Sequence, residues 1–439
     1  MNVKILYVVH CVDAEGPLDE SLEATFERLE YIFGIKLDAT VNNLERVQRG
    51  EFSTGDPQAD KLITETFSNK VLNYNRTWSD ISSMNKHIFS KNFRSENRDD
   101  FGRDWAITWL CLDHLDLGSN PRKKAEGYGI MHSYYSQLRE SYSTFQDEIQ
   151  WHYHPKSITK NPIAAATNYL NSMNEIIQIL CRRVIEYNWY PSVYRPGFHA
   201  ERSDLNLFLE QWIPFDYGNQ AYEEKNKHFD LANGRFGNWS KAPMSWRGYH
   251  PSIKDYQEEG NLERTIFRCL NMGTRHRLLT ESHVKQAFQE ARENGSAILS
   301  FTDHDFRDIA PDIQSLQDML KREKKSFPDI KIMYCGAEEA AQRLLGKFGY
   351  NIELDSKIID RKLIVSLKKG EIFGPQPFLS IRNNSGQYFH DNFDSCENEN
   401  EWSYFFDEQT IDLQEVESVG IGVAGKFGST WTKVHKINN

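Results

Sequence analysis

In the run Glu148-Ile-Gln-Trp-His-Tyr-His-Pro155, one residue separates His152 from His154. Side chains alternate along an extended strand, so this spacing projects both imidazoles from one side of a sheet, as a strand does when it presents two metal ligands. A second pair of the same kind, Asp13-Ala-Glu15, follows the apolar run Val3-Lys-Ile-Leu-Tyr-Val-Val9. Two imidazoles and a carboxylate make a facial set for a divalent cation. Taken alone, each pair has a plainer reading: two packed or polar histidines on a strand, and two loop-capping acids ahead of Gly16-Pro17. Together, at the ends of two strands, they point to an ion.

Strands that end in such groups need a framework. From Val3 to about Lys347, short apolar stretches alternate with amphipathic ones, the pattern of a largely parallel sheet wrapped by helices. Strands are expected at Ile5–Val12, Trp105–Leu112, Glu148–His154, Val193–Pro196, Pro214–Tyr217, Ala297–Asp303 and Ile330–Tyr334. Helices are expected at Leu18–Ile32, Tyr128–Tyr142, Ala164–Asn188, Ser203–Gln211, Glu281–Asn294, Ile313–Lys325 and Gly336–Leu345, with Ser203 as an N-cap and Asn294-Gly295 as a C-terminal stop. Residues 40–104 are polar and less regular and read as an insertion beside the site. After Gly349-Tyr350 the pattern changes to short alternating strands with turn residues such as Asn383-Asn-Ser-Gly386, giving a small all-β, sandwich-like domain over 350–439. The chain is thus an α/β domain over 1–347 followed by a β domain.

Bulk properties narrow the partners. At 439 residues, 39% of them hydrophobic and 26% charged, the chain is long enough for two folded units. A net charge of -11 leaves no basic face for nucleic acid, and the densest basic run, Lys321-Arg-Glu-Lys-Lys325, reads as a solvated helix face. The six cysteines have no short spacing, which fits reduced thiols and argues against a zinc knuckle or a disulfide framework. No stretch approaches the ~20 apolar residues of a membrane span, and the apolar run before His10 is too short for a secretory signal, so a cytoplasmic protein is expected.

Five short motifs recur in a recognisable order: Cys11-Val-Asp-Ala-Glu-Gly16, Trp151-His-Tyr-His-Pro155, Tyr194-Arg-Pro-Gly197, Ile213-Pro-Phe-Asp-Tyr217 and Leu299-Ser-Phe-Thr-Asp-His304. In this order the first 345 or so residues resemble the polysaccharide deacetylase superfamily, which includes carbohydrate esterase family four and the chitooligosaccharide deacetylases. The resemblance implies a distorted (β/α)7 barrel holding a divalent metal, usually zinc. It further implies Glu15, His152 and His154 as metal ligands, Asp13 as general base, Arg195 as the cation paired with that base, and His304 as general acid. The pattern departs from the family in three respects: the acids are spaced Asp-x-Glu instead of adjacent, the histidines are one residue apart instead of three, and the gap between the two motifs is long.

Other residues near these motifs bear on substrate. Trp151, beside the histidines, and Trp246, in the loop-like run Asn238-Trp-Ser-Lys-Ala-Pro-Met-Ser-Trp246, are candidates to stack on a sugar ring, with core packing as the alternative. Asp216 ends a strand within the same constellation, with a substrate contact or a structural hydrogen bond equally open. Asp303 and Asp305 flank His304 and could make it an ordinary hydrogen-bonded histidine. His10, His114, His199, His250 and His276 have no partner at ligand spacing and receive no role. The expected function is metal-dependent hydrolysis of an N-acyl group, most simply N-acetyl, from an amino sugar or glycan precursor. The alternative is a glycan-binding protein that keeps the barrel without turnover. A glycoside hydrolase fits poorly, since Asp13 and Glu15 share one strand and cannot flank a glycosidic bond from two sides.

Overall fold

The computed structural model describes residues 3–115, 127–160, 164–223, 237–274 and 276–437; parts of the expected domain spans 1–347 and 350–439 lie outside these ranges. Eight parallel strands form the first sheet: β1 (Lys4–Ala14), β2 (Thr108–Leu112), β3 (Glu148–Tyr153), β4 (Val193–Pro196), β5 (Phe215–Asn219), β6 (Thr265–Asn271), β7 (Ser296–His304) and β8 (Ile330–Cys335). β1 to β7 pair in sequence order, and β7 pairs with β1, which closes a seven-stranded barrel. On its other side β1 changes partner along its length. Lys4–Val9 lie against β8, and Cys11–Ala14 lie against Thr108–Cys111 of β2.

Alternation decides which side chains meet. Tyr7, Val9, Cys11, Phe215, Phe267 and Ile298 fill the barrel interior as one cluster, while Val8, Val12, Trp109, Leu270, Leu299 and Phe301 lie beneath the surrounding helices. Continuing the inward set of β1 past Cys11 gives Asp13 and then Glu15, so the chemistry sits where the apolar filling stops. The floor is closed by the helix Ala337–Leu344. Its first turn is held by strand starts: Ala337 N donates to Thr108 Oγ1 at 2.8 Å, and Glu338 N and Glu339 N donate to the Glu148 carboxylate at 2.9 and 3.0 Å. From inside the barrel Tyr217 Oη donates to Ala337 O at 2.7 Å.

All seven expected strands are present, and β6 is an addition. Its sequence, Thr-Ile-Phe-Arg-Cys-Leu-Asn, carries Arg268 at the centre, and that charge hid a strand whose seven residues are all buried. Residues 40–104, expected to be irregular, are mostly helical: Val41–Gln48, Pro57–Thr66, Asn69–Leu72, Trp78–Ile88 and Lys91–Glu96. Each begins after a residue whose side-chain oxygen accepts an amide of the first turn, namely Thr40, Asp56, Ser68, Thr77 and Ser90. These helices are short and polar, so capping marks them better than hydrophobic periodicity does. Ser203 is the first residue of its helix and not its cap, whereas Gly295 ends the helix Glu281–Asn294 with φ +88° as expected.

The C-terminal part consists of two four-stranded antiparallel sheets built from β9 (Glu353–Ile359), β10 (Lys362–Lys369), β11 (Phe378–Asn383), β12 (Tyr388–Asp391), β13 (Asp394–Ser395), β14 (Glu401–Phe405), β15 (Val416–Ala424) and β16 (Thr430–Lys436). The sheets share a core that includes Leu363, Val365, Leu379, Trp402, Val419 and Ile421. The expected turn joins β11 to β12: Asn383 Oδ1 accepts from Ser385 N and Gln387 N, and Gly386 takes φ +78°.

The floor contains a pair of acids. Burial pushes the carboxyl of Glu148 up, and Glu338 is pushed up by burial and then by the charge of Glu148. Glu148 receives two backbone amides, so Glu338 is the better carrier of a shared proton. An acid raised on folding stabilises the fold below its ordinary range and loses that contribution as pH rises through the folded value, which for Glu338 lies at about 8. Glu338→Gln should therefore match the parent in melting temperature near pH 5 and exceed it by roughly 2–4 °C at pH 9, read from unfolding scans across that range.

Candidate metal centre

The last inward positions of the strands bring the expected residues together. Parallel register sets Asp13 beside His304 across β1 and β7, and His152 beside Arg195 across β3 and β4. Glu15 and His154 lie one inward step beyond their strands. His152 Nδ1 donates to Arg195 O at 2.8 Å, so its proton is on that nitrogen and Nε2 presents a lone pair. That Nε2 lies 2.9 Å from His154 Nε2 and 3.4 Å from Glu15 Oε1, and His154 Nε2 lies 3.0 Å from the same oxygen. Metal–ligand bonds of about 2.0–2.1 Å put ligand atoms roughly 3.3 Å apart in a tetrahedral set and about 2.9 Å apart in an octahedral one. The three separations span both values, and the donor set of two nitrogens and one carboxylate oxygen suits a divalent cation. Asp13, Glu15 and His304 form an overlapping group that shares the Glu15 carboxylate.

Around these atoms the backbone is held in place. Glu15 N and Gly16 N donate to Asp305 Oδ1 at 2.8 and 3.0 Å, and Tyr135 Oη donates to Asp305 Oδ2 at 2.9 Å. Gly197 lets the β4 end pass His154, because a Cβ there would stand 2.4 Å from His154 Cδ2 and 2.8 Å from His154 Cα. Gly197 is thus required by the packing of its strand end against His154. The next residue, Phe198, is left-handed at φ +55° and sets its ring 4.6 Å from that of His154.

Asp13 is engaged by Arg195, whose Nη1 donates to Asp13 Oδ2 at 2.5 Å. Asp13 Oδ1 is buried and has no hydrogen-bond donor. Arg195 is fully enclosed; burial acts to lower its pKa, but the Asp13 charge together with Cys269 and Cys11 outweighs that and the net direction is upward, so it stays charged. His304 Nε2 lies 3.6 Å from Asp13 Oδ2 and 3.8 Å from Glu15 Oε1. Its neighbour Asp303 faces outward. There His10 Nδ1 accepts the Trp105 indole N–H, which leaves the proton on His10 Nε2 to be donated to Asp303 Oδ1 at 2.9 Å.

His199, which has no partner at ligand spacing in the sequence, belongs to the centre. Its Nδ1 accepts from Arg195 Nη2 at 2.8 Å, and burial, followed by the Arg195 charge, holds the ring well below the usual histidine range. The two residues are four apart in Arg-Pro-Gly-Phe-His199, a separation with meaning only once the chain bends at Gly197.

Three expected substrate contacts are corrected. Trp151 is on the outward parity of β3 and 1% exposed, packed 5.1 Å from the Tyr194 ring beneath the helices. Trp246 does lie in a loop, but the loop folds inward: the indole is 1% exposed with the Arg268 guanidinium 4.6 Å above it. Neither offers a face to a sugar. Asp216 is wholly buried on the outward side of β5, where it accepts Arg264 Nη1 at 2.5 Å and its own Gly218 N at 2.7 Å. It has the structural role.

Comparison with protein-family models, with curated proteins and with solved structures gave no match for this chain. Among the described residues no helix is long and apolar enough to cross a membrane. The Gly197 contact gives a direct check on the ligand set. Gly197→Ala should lower Zn²⁺ affinity about 10–100-fold in calorimetric titration while leaving the circular dichroism spectrum intact. Unchanged affinity would mean that His154 is not a ligand.

Proposed function

We propose that this chain is a metal-dependent hydrolase of the polysaccharide deacetylase kind, removing an N-acyl group, most simply N-acetyl, from an amino sugar. The observation that carries the reading is the convergence of Glu15, His152 and His154 on one point, beside a carboxylate that an enclosed arginine holds in place. The order of the five motifs in the sequence supports the same reading.

A divalent ion held by Glu15, His152 and His154, zinc being the family's usual choice, would supply Lewis acidity to a water and to the acyl oxygen. The remaining steps belong to the chain's own groups. Arg195 keeps Asp13 oriented through Oδ2 and leaves Oδ1, which has no donor of its own, as the basic atom that takes a proton from the attacking water. His199 holds Arg195 from behind and acts as a positioning residue. As the carbon–nitrogen bond breaks, protonated His304 gives its proton to the departing nitrogen, so the products are a carboxylic acid and a free amine. The enclosed walls around Asp13 and Arg195 limit water there to what the reaction uses.

Full-length protein incubated with N-acetylated amino sugars should release acetate, and a chelator should abolish the release. Asp13→Asn should reduce turnover by about 10²–10⁴-fold with metal content retained, whereas His152→Ala should lose metal and turnover together. If both variants hold metal as the parent does, the ion lies elsewhere and the proposal fails. Chelator-sensitive metal binding with no acetate from any amino sugar would instead favour a binding protein.

A further inference from the structure

Arg277 is an interior cation with no anion beside it among the described residues. It lies in the loop between β6 and the helix Glu281–Asn294, at the strand-end mouth of the barrel. The loop is fastened back on β6, with Asn271 N donating to Arg277 O at 3.0 Å and Leu279 N to Asn271 O at 2.8 Å. Its backbone is left-handed, φ +49°, a conformation that non-glycine residues seldom adopt. The side chain is 7% exposed. Among the described residues its one hydrogen bond is a long one, from Nη2 to Gly237 O at 3.4 Å, and the buried Nη1 has no partner. Four other buried arginines are matched by carboxylates: Arg94 with Asp147, Arg183 with Asp113, Arg195 with Asp13, and Arg264 with Asp216 and Glu201; Arg268 is held by the carbonyls of Ala221 and Met244. Among the described residues no carboxylate lies within ion-pair distance of Arg277. Burial pulls its pKa down to about 10, partly offset by Tyr256, the direction expected of a guanidinium in want of a counter-ion.

This cation is tied to the wall of the metal centre. Gly237, whose carbonyl it reaches, donates its N–H to Phe198 O at 3.4 Å, and Trp239 Nε1 donates to His199 O at 3.0 Å. Phe198 packs on the ligand His154, and the His276 ring stands 6.3 Å from that of His199. Because His199 Nδ1 accepts from Arg195, its proton is on Nε2, and that N–H has no acceptor among the described residues. From Arg195 to Arg277 the wall therefore offers donors and positive charge. A buried cation with one weak hydrogen bond is costly and is offset when an anion arrives, and a guanidinium matches the planar oxygens of carboxylate and phosphate.

We propose that Arg277, on the same wall as His199, binds an oxyanion of the substrate, so that the amino sugar received at the metal centre carries a carboxylate or phosphate group. The inference rests on the hydrolase reading for the word substrate, but the anion site stands on its own geometry. Calorimetry on the full chain, metal-loaded and chelator-treated, would compare N-acetylglucosamine, N-acetylglucosamine 6-phosphate and N-acetylglucosaminuronic acid. At least one charged probe should bind at least tenfold more tightly than the neutral sugar, and which one does so tells phosphate from carboxylate. Arg277→Gln should bring that ratio close to one, and Arg277→Lys should restore part of it. The melting temperature of Arg277→Gln should equal or exceed that of the parent, which an arginine serving only structure would not permit. Equal affinities for the three sugars, no binding of either charged probe, or a ratio unchanged in Arg277→Gln would overturn the proposal. A ratio that depends on Arg277 without any acetate release would refute the hydrolase alone. Chelator-sensitive release with equal affinities would refute the anion site alone.

Discussion

A guanidinium wholly enclosed by a barrel is costly unless a carboxylate lies against it, and the Arg195–Asp13 pair meets that condition at the level where the apolar filling ends. Much of the centre follows from it. Arg195 lends its carbonyl to His152 Nδ1 and so fixes which histidine nitrogen faces Glu15 and His154. It occupies one oxygen of Asp13 and leaves the other bare, and it sets the proton of His199 through a second donor. One residue on a four-residue strand thus sets the proton positions of two histidines and decides which oxygen of Asp13 is occupied.

The two ends of the barrel divide the work. At the floor, Glu148 and Thr108 at the strand starts satisfy the first turn of the helix Ala337–Leu344, and β8 lies against the lower half of β1, where β2 does not reach. At the mouth, the same β1 is flanked by β2 and β7, and its final inward residues are acids. A parallel barrel with loops after each strand collects polar groups at that end because the interior below is already packed, so acids at the strand ends meet side chains from β3, β4 and β7 and not apolar filling.

How much of this the sequence revealed depends on the range of the interaction that carries each feature. Spacing by two along β1 and β3 correctly put Asp13 with Glu15, and His152 with His154, on common faces, because strand alternation is local. The order of motifs then placed Arg195 and His304 with them. Trp151 failed on the same rule, since a residue adjacent to His152 must face the opposite way. Asp216 failed because its partner Arg264 is 48 residues away and nothing local announces the pair. β6 was lost to the charge of Arg268, which is accommodated by carbonyls of Ala221 and Met244 and by the Trp246 ring, all of them distant contacts. His199 became visible only after the bend at Gly197 was known.

The two appendages relate differently to the centre. The C-terminal sheets dock on the outside of the barrel, where Phe378 and Tyr388 join the cluster beneath the helix Met173–Tyr187, and Gly420 allows β15 to approach Val184 closely. Nothing in that contact touches the mouth. The helical insertion does reach it: Leu18 N donates to Asn75 O, Asn75 N to Phe306 O, and Asn75 Nδ2 to Asp305 O at 2.8 Å, while the Phe306 ring lies 4.6 Å from that of His304. Asp305 is the residue that holds the backbone of Glu15, so a single asparagine of the insertion is linked to a proposed metal ligand and, through Phe306, to the proposed acid. Between the insertion and the loops after β1 and β7 lies a cavity of about 830 Å³ bordered by Glu20, Tyr74 and Arg307. The segment between the first and second strands is therefore tied to the backbone that carries Glu15 and His304, which is why so long a stretch separates the acid motif from the histidine motif.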